Sequence, residues 1–272
     1  MMYLMYQNLA INPVAISLGP FSIKWYGILI ALGIILAFIV VQREMVKRGM
    51  HPEFLTDLLI WAVPISIITA RIYYVVFEWD VYKNHPEQII QIWNGGIAIH
   101  GALIGAFLTT YFYTKRRGVS FWKVVDIAAP GLLIGQIIGR WGNFINQEAH
   151  GGPVSTHFLE TTIIPDWIMK QMTIDGVTYH PTFLYESLWN VVGLIIILLL
   201  RKVNLKRGEM FLFYLTWYSL GRFFIEGMRT DSLLIGGLRT AQLVSITTII
   251  IAVVIFIIRR FVQKVDVNYK DD

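Results

Sequence analysis

The chain has no cysteine. That excludes disulfides, a thiolate nucleophile of its own and any cysteine-based metal site. Charge is scarce too: 15% of the 272 residues are Asp, Glu, Lys or Arg, against 56% hydrophobic. A soluble domain of this length seldom tolerates such a balance. No internal repeat is visible at the level of motifs, which argues weakly against a transporter built from repeated halves. Residues 1–20 lack the basic start of a cleavable signal peptide, so none is expected. No Gly-x-Ser-x-Gly, His-Glu-x-x-His or paired intramembrane aspartates occur, which makes an intramembrane protease a poor reading.

What is present is a series of apolar stretches, long enough to cross a hydrocarbon core of roughly 30 Å. Seven are expected, at about 22–41, 58–77, 94–114, 122–139, 183–200, 210–228 and 240–258. Fifteen of the 23 basic residues fall after the first and seventh stretches, between the third and fourth, and between the fifth and sixth. Under a seven-span reading these are all on one face, which the positive-inside rule makes cytoplasmic. The N-terminus is then outside and the C-terminus inside. The net charge of +5 reflects topology, and nucleic-acid binding is not needed to explain it. The fold class is therefore an all-α integral membrane protein, a single membrane-embedded domain over 1–272. Pro13, Gly19 and Pro20 mark residues 1–21 as an interfacial arm. The long connection 140–182 is a small extracytoplasmic head, in which Thr161–Ile164 and Thr173–Tyr179 are β-prone and Asp175-Gly176 signals a turn.

One tract stands out. Gly139-Arg140-Trp141-Gly142-Asn143-Phe144-Ile145-Asn146-Gln147-Glu148-Ala149-His150-Gly151 begins where the fourth stretch should end. It crowds polar groups at a membrane border, where they need partners, water or a ligand. At about 1.5 Å per residue, Arg222 lies about 18 Å along the sixth stretch and His100 about 9 Å below the outer start of the third. Arg71, Arg140, Tyr26 and Glu186 share that outer level. Tyr218, Arg222, Glu226 and Arg229 form one helical stripe, in which Arg222 can pair with Glu226.

Each has a plainer reading. Arg71 reads better as a snorkelling arginine than as a ligand contact. Arg222–Glu226 serves equally as a structural ion pair, and Arg229 and Arg239 as solvated loop charges. His100 is a packing residue or a functional one, with Gly95, Gly96 and Gly101 permitting close approach by backbone or substrate. Trp25 and Tyr26 fit an aromatic belt. Together the residues suggest an outward-facing polar cavity suited to an anionic phospholipid or another anionic solute.

Residues 139–151 resemble the Gly-Arg-x-Gly-Asn-Phe-x-Asn-x-Glu-x-x-Gly signature of bacterial prolipoprotein diacylglyceryl transferases. The resemblance extends to Gly19-Pro20 to Lys24-Trp25-Tyr26-Gly27, Ala70-Arg71-Ile72-Tyr73-Tyr74, Gly95-Gly96 to His100-Gly101, His180-Pro181-Thr182-Phe183-Leu184-Tyr185-Glu186 and Gly221-Arg222-Phe223-Phe224-Ile225-Glu226. Ala102 and Lys24 depart from the family's usual glycine and arginine. The resemblance implies transfer of the diacylglyceryl group of phosphatidylglycerol to the lipobox cysteine of a preprolipoprotein signal peptide, releasing glycerol phosphate. It implies a bacterial plasma-membrane enzyme among membrane lipids, with its active site toward the outer leaflet and no metal or other cofactor. Arg140 and Arg222 would hold the phosphate and His100 would be the base. Asn143, Asn146, Glu148 and Gly151 would position head group and loop, with Tyr26, Tyr218 and Glu226 orienting head group or arginine. The alternative is a seven-span transporter or receptor for an anionic solute.

Overall fold

The structure, a computed structural model, describes residues 11–19 and 21–271. Of the expected arm, residues 1–10 and Pro20 lie outside these. The hairpin of β1 (Val14–Leu18) and β2 (Phe21–Lys24) leads into α1 (Trp25–Lys47). Then come α2 (Phe54–Phe77), a short α3 (Trp79–Tyr82), α4 (Ile99–Arg116) and α5 (Phe121–Ile145). The next connection carries α6 (Thr156–Thr161), α7 (Asp166–Gln171) and a hairpin of β3 (Thr173–Ile174) with β4 (Val177–Thr178). α8 (Thr182–Val203), α9 (Glu209–Met228), the β5 (Leu234–Ile235) and β6 (Leu238–Arg239) hairpin, and α10 (Thr240–Ile257) complete the order.

Five of these helices are long and apolar enough to cross a membrane: α1, α2, α5, α8 and α10 with its extension to Val262. The protein is thus a mostly helical, multi-pass type of chain. α4 and α9 also have 18 and 20 residues. They are less apolar because α4 mixes glycine, threonine and tyrosine with Lys115 and Arg116, and α9 carries Glu209, Arg222 and Glu226.

Two expectations about the head need correction. α5 runs on through Ile145, so Gly139 to Phe144 are helical and the irregular backbone starts only after them. Thr161–Ile164 forms no strand. Ser155 caps α6, its hydroxyl accepting from the Phe158 amide at 3.1 Å, and Thr161 becomes that helix's last residue. The second β-prone run does form a hairpin, with Asp175 and Gly176 at φ 50° and 81° in its turn.

The chain divides into two compact units, one of residues up to Val41 with Asp126–Asp271, the other of Gln42–Val125. In the second, α2 and α4 approach so closely at Gly101 that a Cβ there would sit 2.5 Å from the Thr69 carbonyl oxygen. Arg71, expected to snorkel, is instead buried. It donates to the carbonyls of Gln88, Ile89, Gly95 and Gly96 at 2.6–2.8 Å. Its cost of burial is met by four backbone acceptors, so it anchors the loop before α4. Gly95 and Gly96, at φ 87° and 73°, let that loop turn around the guanidinium.

In the larger unit, α8 and α9 are locked by Trp189 and Trp217. Their rings stack at 4.3 Å, and each indole N–H donates to the other residue's carbonyl, at 2.8 and 3.0 Å. Gly193 and Gly221 leave the room for those rings. Gly221 immediately precedes Arg222, so this packing also fixes where the arginine points.

Candidate active site

The site is built from α5, α8, α9 and the segment after α5, all in the larger unit. Gly142 on α5 faces Tyr26 on α1, with its Cβ position only 2.5 Å from the tyrosine ring. The end of α5 is held by Gln171, whose amide donates to the carbonyls of Phe144 and Ile145 at 3.3 and 3.2 Å. Beneath lies a small apolar core of Phe144, Ile168, Met172 and Phe183. Past Ile145 the backbone tightens. Gln147 and Ala149 take φ values of 54° and 58°, a left-handed conformation that costs a non-glycine residue on the order of 1–2 kcal/mol. Surrounding bonds hold it there: Asn143 donates to Glu148 at 2.8 Å, Asn146 reaches the same carboxylate oxygen at 3.5 Å, and Thr182 donates to the Ala149 carbonyl at 2.5 Å. Gly151 closes the loop by donating to the His180 carbonyl at 3.0 Å. A Cβ on Gly151 would lie 2.8 Å from that of His180.

Over this frame runs a chain of opposite charges. Arg140 on α5 lies 2.9 Å from Glu186 on α8, and Arg222 on α9 is 3.4 Å from the other oxygen of the same carboxylate. Arg222 also contacts Glu226 at 2.6 Å, and Arg229 approaches Glu226 at 3.9 Å. The two glutamate side chains are 3% and 4% exposed and the three arginines 15–21%, so the acids lie beneath the bases. Close as they are, the nearest oxygen of each glutamate, Oε1 of Glu186 and Oε2 of Glu226, receives no well-directed hydrogen bond. Those two contacts are ion pairs by distance, whereas Arg222 Nη1 donates a long bond of 3.4 Å to Glu186 Oε2. Three arginines over two buried carboxylates also leave one positive charge uncompensated until Asp231 is counted.

The neighbours set the array's limits. Arg140 also donates to Asn143 at 3.3 Å, and the Tyr218 hydroxyl lies near it. Arg229 grips Asp231 with two bonds of 2.9 and 2.8 Å. Burial tends to lower the Arg229 pKa, but the hydrogen bond and charge of Asp231, with Glu226 and Glu186 behind, hold it above the ordinary value. Arg239 donates to the Glu226 carbonyl at 2.6 Å and so caps the end of α9. Neither arginine is the solvated loop charge the sequence suggested. A narrow recess among these groups is lined by Arg140, Asn143, Thr182, Glu186 and Arg229.

The prolipoprotein diacylglyceryl transferase family matches residues 13–258. A phosphatidylglycerol–prolipoprotein diacylglyceryl transferase of Lysinibacillus sphaericus is 63% identical over 267 residues, covering 97% of this chain and 98% of its own. Enzymes of the same name from Bacillus velezensis and Bacillus licheniformis are 57% and 56% identical, covering 96% of this chain and 97% of theirs. The chain belongs to the prolipoprotein diacylglyceryl transferase family.

Within this transferase, the structure gathers Arg140, Asn143, Asn146, Glu148, Gly151, Tyr218, Arg222 and Glu226 in one unit, with Tyr26 against Gly142. His100 belongs to the Gln42–Val125 unit. It is exposed on the first turn of α4, its ring 6.0 Å from that of Tyr73. Sequence reasoning placed Glu186 at the right level but gave it no role. The signal was available: an acid at the start of an apolar helix needs a cation, and the two unexplained arginines at its level were the candidates. Gln171 was missed altogether, because a glutamine in a polar loop carries no mark of burial.

Proposed function

We propose that the protein transfers the diacylglyceryl group of phosphatidylglycerol to the lipobox cysteine of a preprolipoprotein. The observation that carries this beyond family membership is the arginine array, three partly exposed guanidiniums set above two buried carboxylates beside a recess. The substrate thiol loses its proton, and the thiolate attacks the glyceryl carbon that bears the phosphate. A C–S bond forms as the C–O bond breaks. The bonding pair leaves on the phosphate oxygen as glycerol phosphate. Arg140 and Arg222 hold the phosphate and stabilise the charge that collects as it leaves, work worth on the order of 10²–10³ in rate per donor at comparable sites. Glu186 keeps those two arginines apart and oriented before the lipid arrives. Asn143, Asn146 and Glu148 shape the loop that meets the glycerol hydroxyls, and Tyr26, Tyr218 and Glu226 steady head group and arginines. His100 is the base for a thiol of pKa about 8.5.

The chain has no thiol, so the only sulfur nucleophile is the one the substrate brings. α4 and α9 join the five apolar helices as membrane spans, giving seven, with the N-terminus outside. The site then faces the outer leaflet of a bacterial plasma membrane, where the lipid and exported signal peptides meet. The grouping of fifteen basic residues on one face supports that orientation. Purified protein given phosphatidylglycerol and a lipobox peptide should add the diacylglyceryl mass to the cysteine. No adduct across several detergents would reject the reading. Solute uptake into liposomes without lipid consumption would favour a transporter.

A further inference from the structure

Residues 201–209 and 258–271 contain eight basic residues against three acidic ones, and the structure brings the two stretches together. We propose that they form a second lipid site, which holds the phosphodiester head group of an anionic phospholipid in the leaflet opposite the arginine recess. The proposal rests on the membrane crossing described above and not on the transferase chemistry. Starting from Glu209 at one end of α9, Arg222 lies about 20 Å further along at 1.5 Å per residue.

A pocket at this end is lined by Lys206, Arg207, Arg259 and Arg260 together with the apolar Leu212 and Phe256. Four cations meet three carboxylates there: Glu209, Asp266 and the buried Asp126 beside Arg259. Arg260 lies 2.8 Å from Glu209, and Lys206 lies 2.8 Å from Asp266. The Asp266 side chain is 98% exposed, so a phosphodiester can displace it from Lys206 without stranding it from water. The turn Ile258–Val262 is π-helical, a form often found at functional sites. It carries Arg259 and Arg260, while Phe261 and Val262 stand 65% and 72% exposed beside them. Cations next to uncovered apolar side chains match a lipid, with head group and acyl chain adjoining, better than a free anion.

The pocket wall is also preformed. Tyr269 is buried, and its amide donates to the Leu205 carbonyl at 2.7 Å. The Arg207 amide donates to the Val267 carbonyl at 3.1 Å, and its guanidinium donates to the Asn268 carbonyl at 3.2 Å. Arg259 donates to the Arg207 carbonyl at 2.7 Å. These bonds fix the tail against the loop that precedes α9, so little ordering is left for the lipid to impose.

The test counts phosphatidylglycerol retained when the protein is released from phosphatidylcholine nanodiscs doped with it, using native mass spectrometry. The Arg140→Ala protein is the background, so that the recess contributes least. Adding Lys206→Gln and Arg260→Gln should lower retention roughly tenfold or more, whereas the same pair in the otherwise unaltered protein should leave turnover unchanged. Lys206→Arg with Arg260→Lys should keep the lipid. Millimolar inorganic phosphate should not strip it. Unchanged retention in the double glutamine variant would overturn the proposal, and so would displacement by inorganic phosphate alone. Should the double variant fail to fold, Arg260→Gln alone, at the more exposed of the two side chains, gives the same reading with a smaller loss. Adduct formation on the peptide is scored separately, so failure of the lipid site and failure of the transferase reading look different.

Discussion

The two ends of α9 both involve buried carboxylates, and they treat them in opposite ways. At the Glu209 end, Asp126 from α5 is fully buried, and its two oxygens accept directed bonds from the amides of Gly208 and Phe211 at 2.5 and 2.8 Å. Two of the helix's orphan donors are thereby satisfied, and the acid is consumed in doing so. At the Met228 end, Glu186 and Glu226 sit under three arginines with contacts as close, yet their nearest oxygens receive no well-directed bond. The first arrangement stabilises a fold. The second sets partly exposed guanidiniums above the buried acids, the arrangement the proposed phosphate site calls for.

Substitutions can break that comparison. The largest effect should come from Arg140→Ala, with turnover falling about 10²–10³-fold while thermal stability changes little, because Glu186 keeps Arg222. Loss of folding in place of turnover would make this end structural like the other. Asp126→Ala should do the reverse. It leaves two buried amides without an acceptor, at a cost of about 2–4 kcal/mol of stability, with activity per folded molecule retained. Unfolding by heat in detergent, scored beside peptide modification, separates the two. Gly221→Ala should fall between, because the new methyl meets the Trp189 ring. About 1–3 kcal/mol of overpacking strain should appear, together with a fall in kcat as the next residue, Arg222, is turned off line.

This contrast also marks what the sequence could tell. Apolar runs and the spacing of Tyr218, Arg222, Glu226 and Arg229 were legible because helix periodicity puts i and i+4 on one face whatever the tertiary packing. The Asp175-Gly176 hairpin was legible because its turn needs a positive φ. Arg71 was misread because insertion cost says only that a cation needs a partner, and four carbonyls from a distant loop have no linear signature. Arg239 capping α9 and Gln171 capping α5 were hidden for the same reason. Asp126 carried no mark of its role, since its amide partners are 82 and 85 residues away.

The smallest effect concerns acid, and it separates two links at the Met228 end by their pH windows. The hydrogen bond from Arg229 holds the Asp231 carboxyl below its ordinary value, against burial, which pushes it up. Its stabilisation is therefore full above the unfolded pKa of about 3.9 and is lost as pH falls through the lower folded value. Burial instead pushes His180 below its ordinary value, which favours the neutral ring. That ring lies 3.2 Å from the Tyr185 hydroxyl and 4.8 Å, centre to centre, from Phe158. Between the unfolded pKa of about 6.5 and the lower folded one, the unfolded chain binds the extra proton, so stability falls as pH drops through that window. His180→Asn should flatten the unfolding midpoint between pH 7 and 5, and Asp231→Asn should flatten it only below pH 4. The backbone of His180 holds Gly151 and Gly152. If the His180 window also carries a loss of lipid binding, the loop after α5 is part of the phosphate site. If stability falls there and binding does not, the loop is scaffold, and the arginines on α5 and α9 act without it.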